Sequence, residues 1–129
     1  MKDRVWVPTA ALYIVHDRQI SRHGGAPGLR DSGLLEAGAN RPRNLAEYGT
    51  PDAFDLAASY AFGICKAHAF IDGNKRTAFV AAATFLRLNG YAFRPDPAEG
   101  LFMMEGLAAS EVSEDAFAQW MRRGATALV

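Results

Sequence analysis

The segment that most constrains the fold is the run Ala78–Leu86, which is apolar on nearly every side if it is wound into a helix. A helix that is hydrophobic all round has to be buried among other elements. Asn89-Gly90 follows it with the residue types that end a helix in a left-handed conformation. The run therefore predicts a central helix from about Asn74 to Leu88, which the rest of the chain must cover.

Length and composition are those of one ordinary globular domain. The chain has 129 residues, half of them hydrophobic, and its 14 Lys and Arg balance its 14 Asp and Glu. This excludes a disordered chain, and the zero formal charge gives no indication of direct nucleic-acid or membrane binding. The single cysteine, the absence of an apolar leader and the lack of a membrane-length apolar run predict a cytoplasmic protein.

Caps and apolar spacing predict about six helices and little or no sheet, with residues 1–129 forming a single all-α domain. Pro42 should end the second helix, which leaves 41–49 as a loop or short flap. The helices other than the central one are expected from about Pro8 to Gln19, from Asp31 or Ser32 to Pro42, from Pro51 to Ala67 behind Thr50 as cap, after Asp96 in a capping box with Glu99, and from Ser113 to Gly124.

The nine residues before and at the start of the central helix, His68–Arg76, concentrate polar chemistry between two apolar runs. Lys75 and Arg76 occupy the first turn, where the helix dipole favours anions rather than cations. Such a local conflict is explained if a phosphate binds to the cations and to the free backbone N–H groups. Gly73 would allow close approach of a bound group, and Asn74 is expected to cap the helix.

The two remaining polar groups complete a catalytic set. Asp72 supplies an oxygen ligand of the kind that Mg²⁺ accepts together with waters and phosphate oxygens. The imidazole of His68 can take a proton from an attacking hydroxyl near neutral pH. Singly, each residue of the set has an ordinary structural role, as a turn residue, a helix end or a solvated cation. Their combination predicts phosphoryl or nucleotidyl transfer, which depends on positioning and charge neutralisation.

Two further residues near this chemistry have structural interpretations. His16-Asp17 is a dipeptide found in some metal phosphohydrolases, but one dipeptide is weak support, and a histidine hydrogen-bonded at a helix end is the commoner arrangement. Phe70 is expected to anchor the polar stretch in the core. Neither residue is assigned to the reaction.

The run His-Ala-Phe-Ile-Asp-Gly-Asn-Lys-Arg at 68–76 resembles the signature of the Fic/Doc family, and most closely its death-on-curing toxin branch. Further similarity lies at 16–25, 28–36 and 84–91, so the resemblance spans nearly the whole chain.

The resemblance implies an all-helical Fic fold and a toxin of a type II toxin–antitoxin system. Such toxins phosphorylate a threonine of elongation factor Tu from a nucleoside triphosphate such as ATP, and this stops translation. By resemblance, His68 is the base, Asp72 the Mg²⁺ ligand, and Asn74, Lys75 and Arg76 bind phosphate. The expected inhibitor is an antitoxin whose C-terminal segment folds on the toxin, as coupled folding commonly does.

Lys75 separates this chain from much of the wider family. Fic enzymes that transfer AMP usually have glycine there, and usually a second arginine where this chain has Phe79. A lysine should crowd the diphosphate site, which favours phosphate transfer. AMP transfer to a protein hydroxyl and a non-catalytic toxin that only binds a partner are the alternatives.

Overall fold

The computed structural model describes residues 4–129 and shows a helical domain, as the sequence predicted. Its elements are α1 Thr9–His23, α2 Ser32–Tyr48, α3 Ala53–Ala67, α4 Asn74–Leu88, β1 Tyr91–Ala92, α5 Pro97–Ala108, α6 Glu114–Gly124 and β2 Thr126–Ala127. The two short strands pair in antiparallel fashion.

The core is built around α3 and α4, which pack against each other. The predicted bounds of α4 are confirmed, and its residues Ala78, Ala81, Phe85 and Leu86 are fully buried. The helix α3 is more completely enclosed, because it also packs against α2 and α6. These two helices run into and out of the polar stretch, so the best-packed part of the domain supports it from both sides.

The helix α2 corrects the prediction that Pro42 ends it and that a flap follows. It continues to Tyr48 with Pro42 buried inside it. A proline there removes one backbone hydrogen bond, but tertiary contacts hold the second half in place. The guanidinium of Arg41 donates to the Ser59 hydroxyl at 3.1 Å and to both carboxylate oxygens of Glu114 at 2.7 and 2.8 Å.

Two glycines let α2 and α3 approach backbone to backbone. A Cβ atom added at Gly38 would lie 2.7 Å from the carbonyl oxygen of Gly63, and one added at Gly63 would lie 2.6 Å from the carbonyl oxygen of Gly38. Both distances are far below ordinary contact. The position of α3, and with it the end that bears His68, thus depends on this close crossing.

Helix starts were predicted within one or two residues. Pro8 is the residue before α1 rather than its first residue, and α1 runs on to His23. The cap of α3 is Asp52 instead of Thr50, in a reciprocal capping box with Asp55. Asp96 caps α5 as expected. The capping box expected from Glu99 is wrong, however, since its carboxylate accepts from the indole N–H of Trp120 at 2.6 Å.

The two ends of the described chain meet at the C-terminal end of α4. The side chain of Asn89 accepts from the backbone N–H of Val5 at 2.9 Å and donates to its carbonyl at 2.8 Å. The neighbouring Gly90 carbonyl accepts from the N–H of Leu128 at 2.8 Å. This junction lies at the opposite end of α4 from the polar stretch.

Candidate active site

The polar stretch forms a tight loop between the end of α3 and the start of α4. His68 ends α3 in a left-handed conformation, with φ 49° and ψ 43°, and its residue is exposed. A non-glycine residue in this region is uncommon. The conformation presents the His68 carbonyl to Arg30, whose guanidinium donates to it at 2.7 Å. His68 therefore lies at the surface, and its backbone is held by Arg30, a residue outside α3.

Asn74 closes the loop rather than capping the helix. Its side-chain oxygen accepts from the N–H of Phe70 at 3.0 Å, and its amide donates to the Phe70 carbonyl at 2.9 Å. Gly73 is the residue before the helix, with φ 78°, and no side chain caps α4 there. The expectation that Asn74 acts as the cap is wrong, because its side chain is taken up by the backbone of Phe70.

The start of α4 offers uncapped backbone donors next to two cations. The first N–H groups of any helix lack partners within it, and here they belong to Asn74, Lys75 and Arg76. The amino group of Lys75 lies 3.9 Å from the Glu105 carboxylate, in a pair that is about half exposed and adds little stability. The guanidinium of Arg76 donates to the Gly24 carbonyl at 3.3 Å. Both cationic residues therefore stand in the first turn of α4, next to these N–H groups.

Asp72 is exposed, and two backbone amides orient its carboxylate. One oxygen accepts from the N–H of Gly73 at 2.8 Å, and the other from the N–H of Ala26 at 3.3 Å. These two bonds, and more weakly the charge of Arg76, hold the pKa of Asp72 below its ordinary value. The carboxylate is therefore ionised at neutral pH.

His16 contacts the loop from α1. Its residue is 2% exposed, its Nε2 lies 2.7 Å from the Asp72 carbonyl oxygen, and its ring stacks on Phe70 with centroids 3.8 Å apart and planes within 6°. The expected role at a helix end is wrong, since His16 lies in the middle of α1 and bonds a residue 56 positions away. Its place one turn after the buried Leu12 was the signal in the sequence that it faces inward.

The residues between α1 and α2 form the other wall of the site. The N–H groups of Arg30 and Asp31 donate to the Ala69 carbonyl at 2.7 and 3.0 Å, and the N–H of Ile71 donates to the Gly28 carbonyl at 3.1 Å. This antiparallel bridge pairs Leu29 with Phe70, and Phe70 is anchored in the core as expected. The segment 24–31 thus lies beside the loop, whereas 41–48, which had been predicted as a loop or short flap, belongs to α2.

A cleft of about 500 Å³ opens beside the two cations. Its walls are largely apolar and come from α4, α5, the residues between them and the end of α1. The apolar wall residues include Phe79, Phe93, Pro95, Leu101 and Met104, and Lys75 and Arg76 also line the cleft. Its volume falls in the usual range for small-molecule sites.

Two further properties of residues 4–129 concern metal binding and membranes. No group of three or more His, Cys, Asp or Glu side chains is placed to hold a metal ion by itself. None of the helices in that range is both long and apolar enough to cross a membrane.

Comparison with known proteins agrees with the geometry. The model of the Fic/DOC family matches residues 6–86. The chain belongs to the Fic/DOC family. Among its relatives, the "Protein kinase doc" of Escherichia phage P1 is 38% identical over 113 residues, which cover 87% of this chain and 89% of that protein. The "Toxin Doc" of Mycolicibacterium smegmatis is 43% identical over 76 residues, or 57% of this chain and 58% of that protein.

The relatives support the death-on-curing branch of the Fic/DOC family that the signature had indicated. The structure brings the six signature residues His68, Asp72, Gly73, Asn74, Lys75 and Arg76 into one loop and the first turn that follows it. Their individual roles in a reaction stay predictions.

Proposed function

We propose that this protein is the toxin of a toxin–antitoxin system and that it transfers phosphate from a nucleoside triphosphate to a hydroxyl group of a protein. The observation that carries the proposal is the uncapped start of α4, where Lys75 and Arg76 stand at a helix terminus and the loop just before it bears the ionised carboxylate of Asp72 and the exposed His68. The toxin and kinase names of its relatives point the same way.

In this mechanism His68 accepts the proton of the attacking hydroxyl, for which its exposed position is suitable. The backbone N–H groups at the start of α4, with Lys75 and Arg76, hold the phosphates and offset their negative charge. Gly73 has φ 78°, and its missing Cβ atom lets the loop pack against Ile20 and His16 of α1. The apolar cleft beside the cations is wide enough for the nucleoside part of the substrate, which supports a nucleotide as the phosphate donor.

Asp72 fits the Mg²⁺ that phosphoryl transfer requires. It is a single ionised carboxylate at the surface, and Mg²⁺ is commonly held by one or two carboxylates together with waters and substrate phosphates. When bound, Mg²⁺ neutralises charge on the phosphates. The backbone amides of Gly73 and Ala26 keep the Asp72 carboxylate ionised and fixed in direction.

Lys75 favours phosphate transfer over AMP transfer. Its side chain stands at the second position of α4 and points toward Glu105 on α5. A lysine here restricts the space in which a diphosphate would lie against the helix start in the AMP-transferring arrangement. Phe79, which stands where those enzymes usually have a second arginine, lines the apolar cleft instead.

The partners follow from the same proposal. The target is a threonine of a translation factor, elongation factor Tu in the first instance, and the reaction takes place in the cytoplasm. The inhibitor is an antitoxin whose C-terminal segment folds on binding. A toxin that binds its partner without catalysis is the competing proposal, and the growth of cells that express the His68→Ala variant separates the two.

The test combines the purified protein with elongation factor Tu, Mg²⁺ and ATP, and measures the intact mass of the target. A gain of one phosphate, lost in His68→Ala and retained in Gln119→Ala on the exposed face of α6, is expected. A gain of one AMP would show that the argument from Lys75 is wrong. Toxicity that survives His68→Ala would support the binding proposal and overturn the catalytic one.

A further inference from the structure

We infer that His16 is a positioning residue. Through a hydrogen bond to the backbone carbonyl of Asp72, it fixes the direction of the Asp72 carboxylate, which is the Mg²⁺ ligand in the proposed function. The effect of His16 on phosphate transfer rests on the proposed function. The structural relay itself depends only on contacts between α1 and the loop.

The first step of the relay is the direction of the hydrogen bond. His16 Nε2 lies 2.7 Å from the carbonyl oxygen of Asp72, and a carbonyl oxygen can only accept. The hydrogen atom must therefore be on Nε2 of His16. The other ring nitrogen, Nδ1, lies 3.9 Å from the Asp17 carboxylate, which is too long for a hydrogen bond.

The second step is the peptide unit that joins Asp72 to Gly73. The carbonyl of Asp72 and the N–H of Gly73 belong to the same planar unit and point in opposite directions. Since His16 holds the carbonyl, it also fixes the N–H, which donates to the Asp72 carboxylate at 2.8 Å. Rotation of this unit would break both bonds and leave the carboxylate with the longer bond from the Ala26 amide.

The peptide unit between Asp72 and Gly73 needs a hydrogen-bond partner from outside the loop. Gly73 has φ 78° and, without a Cβ atom, resists rotation less than any other residue would. The imidazole lies directly against it, because a Cβ atom added at Gly73 would be 3.5 Å from His16 Nε2. Among residues 4–129, two backbone amides are the hydrogen-bond donors to the exposed Asp72 side chain, so the rigidity of these amides depends on the buried side of the loop.

The imidazole is itself held in place. Its ring stacks on Phe70, whose backbone is tied to Asn74 by two hydrogen bonds, and both rings are 2% exposed. A buried polar group with one good partner and a fixed ring plane is a rigid support. The same histidine therefore contacts the loop at Phe70 and at Asp72.

The test compares wild type with His16→Gln and His16→Phe. The side-chain amide of glutamine places a donor near the position of Nε2, whereas phenylalanine keeps the stacking surface on Phe70 and removes the donor. Hydrogen exchange of the Gly73 amide should be about tenfold faster in His16→Phe and close to wild type in His16→Gln, as loss of one hydrogen bond implies. The kcat/KM for phosphate transfer should fall about 10- to 100-fold in His16→Phe, with substantial rescue in His16→Gln.

Equal Gly73 exchange in all three proteins would overturn the inference, whatever their activity. If wild type transfers no phosphate to the target, the proposed function fails, and the exchange data still decide the role of His16. Should His16→Phe not fold, ¹⁵N spectra of the wild-type imidazole decide instead: hydrogen on Nε2 supports the relay, and its absence there refutes it. Equal losses of kcat/KM in the two variants, matched to their losses of stability, would show a merely structural role.

Discussion

Replacing Asn74 with alanine should destabilise the domain substantially, although the residue lies at the edge of the site. The substitution removes two hydrogen bonds, at 3.0 and 2.9 Å, and leaves both backbone groups of Phe70 without their partner. Phe70 is 2% exposed, so water replaces those bonds poorly. At about 0.5–1.5 kcal/mol for each bond, the free energy of unfolding should fall by about 1–3 kcal/mol.

Urea denaturation measures this loss directly. With an m value of about 2 kcal/mol/M for a chain of this size, the midpoint should fall by roughly 0.5–1.5 M. The matched control is Asn40→Ala on the exposed side of α2. There the higher helix propensity of alanine should raise the free energy of unfolding by roughly 0.5 kcal/mol. A midpoint for Asn74→Ala indistinguishable from wild type would refute the argument that this side chain closes the loop.

Three further outcomes follow from the packing and charges of the domain. Gly63→Ala should destabilise by about 1–3 kcal/mol through its clash with the α2 backbone, whereas Gly100→Ala, with 3.7 Å to its nearest neighbour, should be neutral or stabilising in the same thermal melts. Burial raises the pKa of Asp52, but the Asp55 amide and Arg122 together bring it below the ordinary 3.8. Because the pKa of Asp52 is lower in the folded than in the unfolded protein, the ionised carboxylate stabilises the fold fully above about pH 4, and this stabilisation is lost as the pH falls through the folded pKa. Urea midpoints should therefore rise with pH across that range, and Arg122→Gln should reduce the slope. Phe85→Ala, at a fully buried position, should lose about 3–5 kcal/mol in denaturant titrations, and a loss below about 1 kcal/mol would contradict the assigned core.

The features that the sequence predicted well are those written in neighbouring residues. Ser113 caps α6 through the N–H of Ala116, three residues on, and the bounds of α4 follow from its own apolar run. The motif was likewise visible because its residues are consecutive, and the chain itself brings them together. Local signals of this kind need no knowledge of the rest of the fold.

The features that the sequence did not reveal depend on distant partners. Pro42 is tolerated in α2 because Arg41 next to it bonds Glu114, 73 positions away. The contact between His16 and the loop, and that between Arg30 and the His68 carbonyl, join residues 56 and 38 positions apart. The chemical groups of the site could thus be predicted from sequence, whereas the groups that fix their directions could not.

The junction at Asn89-Gly90 has a practical consequence for engineering. Residues near both ends of the described chain hydrogen-bond there, at the end of α4 opposite the reactive loop, and α4 alone spans about 22 Å between the two places. A short linker could join these ends, and a reporter domain could be fused at either of them without approaching the loop. Circular permutants opened in the exposed turn near Ser110 would then test whether the order in which the helices are synthesised matters for folding of the domain.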